Sequence, residues 1–398
     1  MMKLIQALTP LLFTTGLLFA NLEKELQTQF ILAASGDTIT IPKGHHKIQG
    51  TLSIEGKENL VIQGVGMDVS ILSFSNQSEG AQGISITNSK NITLEEFTIQ
   101  DSKGDAIKAQ YTDGIIFRHV KAEWTGGPKE TNGAYGLYPV QCENVLIEHS
   151  ISIGASDAGI YVGQSNNIVV RYNEAFENVA GIEIENSYNA EVYENYSHGN
   201  TGGILVFDLP DLLQKQGGNV RVYNNRIESN NLFNFAPKGN IVGKVLPGTG
   251  IMILACSGVH IFGNTIRNNK SIGTGIVSYF MTEEAIKDSL YNPYTADIHI
   301  YNNVYDRWPG FPELGFDIGQ LLAVKYGRNT PDIIYDGMQD PEIQAGLCIQ
   351  NNTDARFTDL DIEHNFDSWY SPFVANFSED MSKHNCGAQH PLISKSKK

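Results

Sequence analysis

Residues whose side chains could do chemistry recur at matching places in consecutive segments of this chain. Tyrosine rings stack on sugar rings, and lysine neutralises the carboxylate of a uronic acid. Glutamate and aspartate exchange protons or hold Ca²⁺. These side chains therefore predict a surface that binds or modifies an acidic sugar polymer. The candidate catalytic residues are Lys108, Tyr138, Tyr161 and Glu183, and the candidate substrate-binding residues are Gln110, Asp157, Glu185, Phe207 and Asp208.

Glu183 and Glu185 lie two residues apart, so on one extended strand both side chains point to the same side, ~6.6 Å apart along the strand. Such a pair could bind a metal ion, with Ca²⁺ as the candidate cofactor, or raise the pKa of one member. In a lyase, Tyr138 or Tyr161 would act as the base while Lys108 or a metal ion held the uronate. The alternative is a polar face that only meets solvent, as outward positions of soluble proteins usually do.

The candidate residues belong to an internal repeat, spaced by 22 or 23 residues in its central part. Each unit carries a glycine or alanine followed by alternating aliphatic residues, the pattern of a short strand with one buried face. The residues one and three after the glycine should point inward, and those two and four after it outward. The units are marked by Gly83, Ala106, Gly136, Gly159, Gly181, Gly203, Gly250 and Gly275.

Asparagines recur in phase with these units and mark corners between strands. One column precedes the alternating stretches and comprises Asn91, Asn144, Asn167, Asn189 and Asn219. A second column comprises Asn173, Asn195, Asn225, Asn264 and Asn303. A unit this short cannot bury its apolar face alone, so we expect about ten stacked turns of parallel strands, ~4.8 Å apart. The asparagines of equivalent corners would then form an amide ladder.

The repeat resembles that of the right-handed parallel β-helix family, whose fold is shared by pectate lyases, polygalacturonases and alginate epimerases. The resemblance covers residues 36 to 306. Residues 156–164 and 178–186 are most similar to exported bacterial repeat proteins of this fold without an assigned function. The resemblance implies an all-β protein built as one right-handed β-helix.

One segment permits a direct comparison with the alginate epimerases, which carry the run Tyr-Gly-Phe-Asp-Pro-His. Here Tyr135, Gly136 and Pro139 match that run, whereas Tyr138 and Val140 replace the functional Asp and His. The resemblance thus extends to the turn and not to that pair of functional residues. Neither the Asp-rich Ca²⁺ ligands with a catalytic Arg of pectate lyases nor the paired Asp of polygalacturonases can be read in the sequence.

The ends of the chain differ from the repeat. Residues 1–20 have a basic start and an apolar stretch, which is typical of a secretory signal peptide and predicts a secreted or periplasmic protein without a membrane span after its removal. Residues 21–36 are expected to form a helix that caps the first turn, with Gly36 ending it. The β-helix would occupy 37–306, and 307–398 would form an irregular C-terminal capping module.

Composition excludes some classes of function. The chain has 44 acidic and 28 basic residues, a net charge of -16, which disfavours binding to nucleic acid. Hydrophobic residues make up 41%, enough for a large core. Export permits disulfides, and Cys348 and Cys386 are the expected pair. Cys142 and Cys256 lie within repeat units and are expected to be small buried residues.

Two further sets of residues face outward on other strands. The first runs through Arg118, Glu148, Arg171, Tyr193, Tyr223, Phe262 and Tyr301. We expect its aromatic end to be covered by the C-terminal module, the alternative being a platform for glycans. The second set is two histidine pairs, His119 with His149 and His260 with His299. Two histidines are half of a tetrahedral metal site, and no nearby Cys or Asp is apparent to complete either pair.

Three functions remain open from the sequence. The first is an enzyme on acidic polysaccharides, as a lyase or an epimerase. The second is a glycan-binding or surface scaffold protein without catalysis. The third is a periplasmic accessory protein for metal or redox machinery. Fold does not decide among them, because one fold carries many functions; a cleft flanked by inserted segments would favour the enzyme.

Overall fold

The repeated strands stack in parallel, turn upon turn, as the spacing of the glycines predicts. The computed structural model describes residues 15–342, 346–365 and 377–386. Equivalent residues of successive turns pair directly: Ile160 lies opposite Ile182, and Ile182 opposite Ile204. Matching side chains therefore meet at every level of the stack, which is how a short repeat builds one continuous core. The prediction of a single parallel β-helix is confirmed.

Three faces run along the coil within the described residues. The front sheet consists of Leu52–Glu55, Ile84–Thr87, Ile107–Gln110, Tyr135–Val140, Ala158–Gly163, Ala180–Glu185, Gly202–Phe207, Thr249–Leu254, Ile272–Val277, Ile333–Tyr335 and Phe357–Asp359. The second face consists of Thr38–Thr40, Glu58–Gln63, Lys90–Gln100, Asp113–Glu123, Glu143–Glu148, Asn166–Arg171, Tyr188–Tyr193, Gly218–Tyr223, Ser257–Phe262, Ala296–Tyr301 and Leu347–Gln350. The third consists of Gly44–Lys47, Ser70–Ser73, the ends of the two longest strands, Ile151–Ile153, Glu174–Phe176, Tyr196–His198, Arg226–Glu228, Thr265–Arg267 and Val304–Asp306.

The inside of the coil is apolar, with two polar ladders at its corners. The predicted ladder is present: Asn173, Asn195, Asn225, Asn264 and Asn303 each donate a side-chain hydrogen bond to the asparagine of the next turn. A second ladder, which the sequence analysis missed, runs through Asn178, Asn200, Asn230 and Asn269. These amides also bond backbone groups that the corners would otherwise leave unpaired. The buried polar groups at these corners are therefore hydrogen-bonded.

A helix covers the first turn, as predicted. It spans Thr15–Leu32, so it begins six residues before the expected boundary at 21. Leu26 and Phe30 are buried against the first strands. Gln27 donates to the backbone oxygen of Ser53 and accepts from its N–H, at 3.0 and 2.8 Å, which pairs a strand edge that would otherwise be open.

Residues 1–14 lie outside the described part of the chain, so the signal peptide stays a prediction. Among the described residues, no helix combines the length and apolarity needed to cross a bilayer. The other helical segments are Ile241–Lys244, Tyr279–Thr282, Asp317–Tyr326, Ile362–Asn365 and Met381–His384.

The C-terminal boundary at 306 was wrong. Ile333–Tyr335 and Phe357–Asp359 extend the front sheet, and Leu347–Gln350 extends the second face. These strands lack the glycine-led template, and long inserted segments break the regular spacing between them. The repeat pattern therefore did not reveal them. The expected disulfide between Cys348 and Cys386 is present, with Cα atoms 5.4 Å apart, and Cys142 and Cys256 are buried and free.

Glycines of the repeat allow close approach between turns. A Cβ at Gly136 would overlap Ser152 Oγ and the backbone oxygen of Gly159. We expect Gly136→Ala to lower the free energy of unfolding by about 2 to 3 kcal/mol, because the clash is partly with backbone. Chemical denaturation measures the change. Gly243→Ala, whose Cβ would have its nearest neighbour at 3.8 Å, serves as the control, and equal stability of the two variants would contradict the proposed clash.

Candidate functional site

Seven of the nine predicted site residues lie in two rows along the outer side of the front sheet, while Asp157 and Asp208 flank the ends of its strands. In one row Lys108 pairs with Tyr138, and Tyr161 with Glu183. In the other, Gln110 pairs with Val140, Gly163 with Glu185, and Glu185 with Phe207. The alternation of inward and outward residues thus holds along these strands. The sequence correctly grouped the candidates on one face.

Much of this face is covered by three inserted segments, 208–217, 229–248 and 278–295, here called the covering segments. Tyr161, Glu183 and Phe207 are 4%, 1% and 1% exposed. Tyr161 and Phe207 form a second apolar core with residues of the covering segments, including Phe235, Val242, Val245, Tyr279 and Tyr291. These segments do not flank an open cleft over Tyr161 and Phe207, the arrangement that would favour an enzyme. Their apolar residues instead pack onto the sheet.

The boundary of the covered region leaves three predicted residues accessible. Lys108, Gln110 and Tyr138 are half-buried. The Lys108 ammonium lies 5.1 Å from the centre of the Tyr138 ring, a cation–π arrangement. Gln110 donates to the side-chain oxygen of Gln141 at 2.7 Å. Asp105 lies nearby; burial raises the pKa of its carboxyl, and Lys108 partly offsets that effect.

Three tyrosine rings meet at this boundary. Tyr135 lies 4.4 Å from Tyr138 and 4.5 Å from Tyr161, and the latter two are 4.9 Å apart, all between ring centres. Tyr135 was missed as a site residue. Strict alternation would turn it inward, but the glycine that follows it points its α-hydrogen into the coil towards Ser152 and interrupts the pleat. The residue before Gly136 therefore faces outward, and Tyr135 pairs with Ala158 in that register.

The space that the absent side chain of Gly163 leaves beside Tyr161 is filled. A Cβ at Gly163 would overlap the Tyr161 ring, so this ring occupies the space that the missing side chain leaves. The Tyr161 hydroxyl donates a 2.6 Å hydrogen bond to Glu185 Oε1. A ligand therefore could not approach the backbone there unless Tyr161 moved.

Three carboxyl groups, Asp157, Glu183 and Glu185, are gathered beneath the covering segments and are called here the carboxylate cluster. Asp157 Oδ2 accepts from Asn240 Nδ2 at 3.0 Å and from the Tyr135 hydroxyl at 3.5 Å. Glu183 Oε2 is buried without a hydrogen-bond partner. The cluster thus contains more acceptors than donors.

Burial raises the pKa of all three carboxyl groups, because a charged carboxylate loses its hydration there. The pKa of Asp157 rises to about 7, with the neighbouring Glu185 adding to the effect of burial. The pKa of Glu185 also rises to about 7, although the Tyr161 hydroxyl opposes the shift. Glu183, which has the fewest donors, has a pKa well above its usual range.

Burial also raises the pKa values of Tyr135, Tyr138 and Tyr161, and the neighbouring carboxylates add to the effect. A phenol with a raised pKa stays protonated at neutral pH. These tyrosines are therefore suited to donate a proton or to pass one on, rather than to act as free phenolate bases.

Asp208 lies apart from the cluster, under other covering residues. Its Oδ2 accepts from the Gly217 N–H at 2.9 Å, and the Tyr291 hydroxyl donates to its backbone oxygen at 2.6 Å. Burial raises its pKa to about 7. Its surroundings tie the covering segments to the sheet, and neither Asp208 nor Phe207 is exposed to a substrate.

Potential metal ligands converge elsewhere. Among the described residues, three such side chains with ligand atoms within 4.8 Å of one another occur at His299, Cys348 and Cys386. The carboxylate cluster and Asp208 do not reach this spacing. From the sequence alone, no Cys or Asp was apparent that would complete a metal site with His299. The strand register, however, places Cys348 directly opposite His299.

The aromatic column on the second face is a ladder of rings stacked face to face. Tyr193, Tyr223, Phe262 and Tyr301 follow one another at 4.9 Å between ring centres. Face-to-face stacking leaves only ring edges for solvent, so these rings offer no flat surface to a sugar. Arg118 and Arg171 bind Glu148 between them at 2.7 Å each, which continues the ladder as ion pairs. Tyr193, Tyr223 and Phe262 are half-buried in the part of the chain that the structure describes, so the expected full cover by the C-terminal module is not observed there.

Comparisons with known proteins agree with the fold. Residues 82–231 match the family model described as the right handed beta helix region. A search of curated proteins gives no significant match. The A-module of a mannuronan C-5 epimerase from Azotobacter vinelandii is 15% identical with a TM-score of 0.51, over 82% of this chain and 87% of that one.

Two further solved structures are similar in outline. The exopolygalacturonase of Thermotoga maritima is 12% identical with a TM-score of 0.44, over 73% of this chain and 84% of that chain. The DFA-IIIase of Arthrobacter chlorophenolicus A6 is 11% identical with a TM-score of 0.42, over 84% and 94%. At 15% identity, the similarity to the mannuronan C-5 epimerase module is one of fold alone.

Proposed function

We propose that this chain, which folds as a parallel β-helix and whose residues 82–231 match the right handed beta helix region, acts on an acidic polysaccharide, as a lyase or an epimerase. The reaction site would be the boundary where the open part of the front sheet meets the covering segments. The observation that carries the proposal is the half-buried Lys108 ammonium 5.1 Å from the centre of the Tyr138 ring. A cation beside an aromatic ring can hold the carboxylate and the ring of one uronate together.

The neighbouring groups support proton transfer. Lyases and epimerases of uronates both remove the proton on the carbon next to the carboxylate, and Lys108 would stabilise the charge that develops there. Tyr135 is half-buried, and its hydroxyl points at Asp157. The hydroxyl oxygen would accept the substrate proton while its own proton passes to ionised Asp157. Through this relay, Tyr135 can act as the base although its hydroxyl is protonated at neutral pH.

The two outcomes differ in the next step. In a lyase, the bond from the neighbouring carbon to the glycosidic oxygen breaks, and the oxygen takes a proton from Tyr138. In an epimerase, a proton returns to the carbon from the opposite face. That step needs a proton donor on the side of the sugar opposite the base Tyr135, and Tyr138, whose ring centre lies 4.4 Å from that of Tyr135, would supply the proton.

A glycan screen tests the proposal. The protein is incubated with pectate, alginate, glucuronans and sulfated glycans, with and without Ca²⁺, and products are followed by ultraviolet absorbance of unsaturated uronates and by NMR for epimers. We expect turnover of an acidic glycan, lowered at least ~100-fold in Lys108→Met and in Tyr135→Phe, because each removes a group that acts in the transition state. The rate should rise with pH through about 7, as Asp157 ionises.

A matched control is Lys90→Met, which removes an exposed lysine from the second face. It should leave the rate unchanged. Full activity of Lys108→Met would refute the location of the site. If the unaltered protein forms no product from any of the glycans, the enzymatic proposal is refuted.

A non-catalytic glycan-binding protein is the second candidate, because the covering segments keep Tyr161 and Glu183 away from any polymer. This candidate predicts saturable binding of an acidic glycan without product. Lys108→Met would then weaken binding while no unsaturated or epimerised sugar formed in either protein.

A further inference from the structure

A second potential site lies near the far end of the coil, on the second face. His299 and Cys348 occupy paired positions on neighbouring strands, and Cys386 reaches the same place from the C-terminal segment. One ring nitrogen of His299 and both sulfur atoms lie within 4.8 Å of one another. We propose that, once the Cys348–Cys386 disulfide is reduced, these three side chains bind a thiophilic metal ion such as Zn²⁺.

The donor set fits such an ion. Zn²⁺ prefers Cys and His ligands at about 2.0–2.3 Å in a tetrahedron, which places neighbouring ligand atoms about 3.5–3.8 Å apart. The ligand atoms around His299, Cys348 and Cys386 lie within 4.8 Å of one another, so shifts of about 1 Å would bring them to that spacing. Two cysteines and one histidine leave the fourth position for water, so the ion would be held by the protein and still be accessible.

The surroundings orient His299 as metal sites commonly do. Its Nε2 lies 2.8 Å from Asp297 Oδ1, and a proton held on that nitrogen leaves the lone pair on Nδ1. The ring stacks on His260 of the preceding turn, with centres 4.4 Å apart and planes 7° from parallel. The orientation of the imidazole is therefore set before any ion binds.

The cysteines can separate when the bond between them is cleaved. Cys348 is 4% exposed and sits on a strand, whereas Cys386 is half-buried in a short segment after the last helical turn. Gln350 donates to Asn385 at 2.9 Å, which keeps that segment beside the strand. An open pocket is lined by Gln350, Asn352, Met381 and Asn385, the last of which directly precedes Cys386.

The chemistry balances as thiol–disulfide exchange. A dithiol reductant gives two electrons and two protons to the disulfide, which becomes two thiols, while the reductant becomes a disulfide. Binding of Zn²⁺ then displaces the two thiol protons. A disulfide oxidant reverses both steps and releases the ion. The site would thus hold metal in one redox state and not in the other.

The test uses the full chain and Zn²⁺ itself. Protein reduced with a phosphine under inert gas is titrated with Zn²⁺ against a chromophoric chelator, and oxidised protein is titrated in parallel. We expect one ion per reduced chain and none per oxidised chain. We expect the affinity to fall at least ~10-fold in His299→Ala and the site to be lost in Cys386→Ser. Co²⁺ bound in place of Zn²⁺ should show thiolate-to-metal charge-transfer absorption.

His149→Ala is the matched control, because His149 belongs to the other histidine pair and is exposed. It should bind as the unaltered protein does. If Cys386→Ser fails to fold, protection of Cys348 and Cys386 from alkylation by Zn²⁺, read by mass spectrometry on the reduced protein, replaces it. Equal binding by oxidised and reduced protein, or no binding by reduced protein, would overturn the proposal.

Discussion

The free energy of unfolding is expected to fall as the pH rises from about 4 to about 7, by on the order of 4 kcal/mol or more. The carboxylate cluster causes the loss. The pKa of Asp157 is about 7 in the folded protein, against an ordinary value of 3.8, and each unit of difference is worth about 1.4 kcal/mol. Glu185 has a similar pKa, but the two groups interact, so their effects do not simply add.

The sign follows from proton binding. Between the two pKa values the folded chain holds protons that the unfolded chain has lost, so a rise in pH favours unfolding. The contribution is fully present below the ordinary carboxyl pKa and is lost as the pH rises through about 7. The cluster should therefore make the protein most stable in mild acid, where structural ion pairs elsewhere are still intact.

Replacing one acid by its neutral amide isolates the cause. Glu183→Gln keeps the shape of a protonated glutamic acid. Burial raises the pKa of Glu183 well above its usual range, and its buried Oε2 has no hydrogen-bond partner. At pH values above about 7 this variant should unfold at higher denaturant concentration than the unaltered protein, and near pH 4 the two should agree. Urea titrations across this pH range measure both.

The exposed Glu130 supplies the control. Glu130→Gln removes one charge of the same type from an exposed loop and should leave the pH profile unchanged. A profile that is flat for the unaltered protein, or that Glu183→Gln does not flatten, would refute the assignment to the carboxylate cluster.

The second large effect is expected from the buried amide ladder. Asn225 accepts hydrogen bonds from the backbone and side-chain nitrogens of Asn195, both at 3.0 Å. It donates to the backbone oxygen of Val192 at 2.9 Å and to Asn264 Oδ1 at 3.0 Å. Asn225→Ala removes all four bonds and leaves two donors of Asn195 unpaired where exposure is only 2%.

Each unpaired buried group costs about 1–3 kcal/mol, so Asn225→Ala should lower the free energy of unfolding by on the order of 4 kcal/mol. Thermal and urea unfolding report the loss. Asn76→Ala is the control, because Asn76 is exposed and lies in a loop. A loss below ~1 kcal/mol for Asn225→Ala would mean that water replaces the amide and that the ladder adds little stability.

The local pattern of the chain determined most of the β-helix. Successive turns place the same residue types at equivalent positions. Ile160, Ile182 and Ile204 could therefore be assigned to the interior without knowledge of their partners. The Asn173–Asn303 ladder and the helix containing Leu26 and Phe30 followed from the same reasoning. These features depend on short-range periodicity, which a sequence displays directly.

The tertiary structure alone decided what the outer face contains. The covering segments have no periodicity, and their sequence does not show that Phe235 and Val242 share an apolar core with Tyr161 and Phe207. Burial of the carboxylate cluster, the outward turn of Tyr135 and the pairing of His299 with Cys348 depend on contacts between residues far apart in the chain. The sequence therefore determined which residues share a face. Contacts between distant segments decided which of these residues are exposed, which carboxyl groups have raised pKa values and which side chains lie close enough to bind a metal ion.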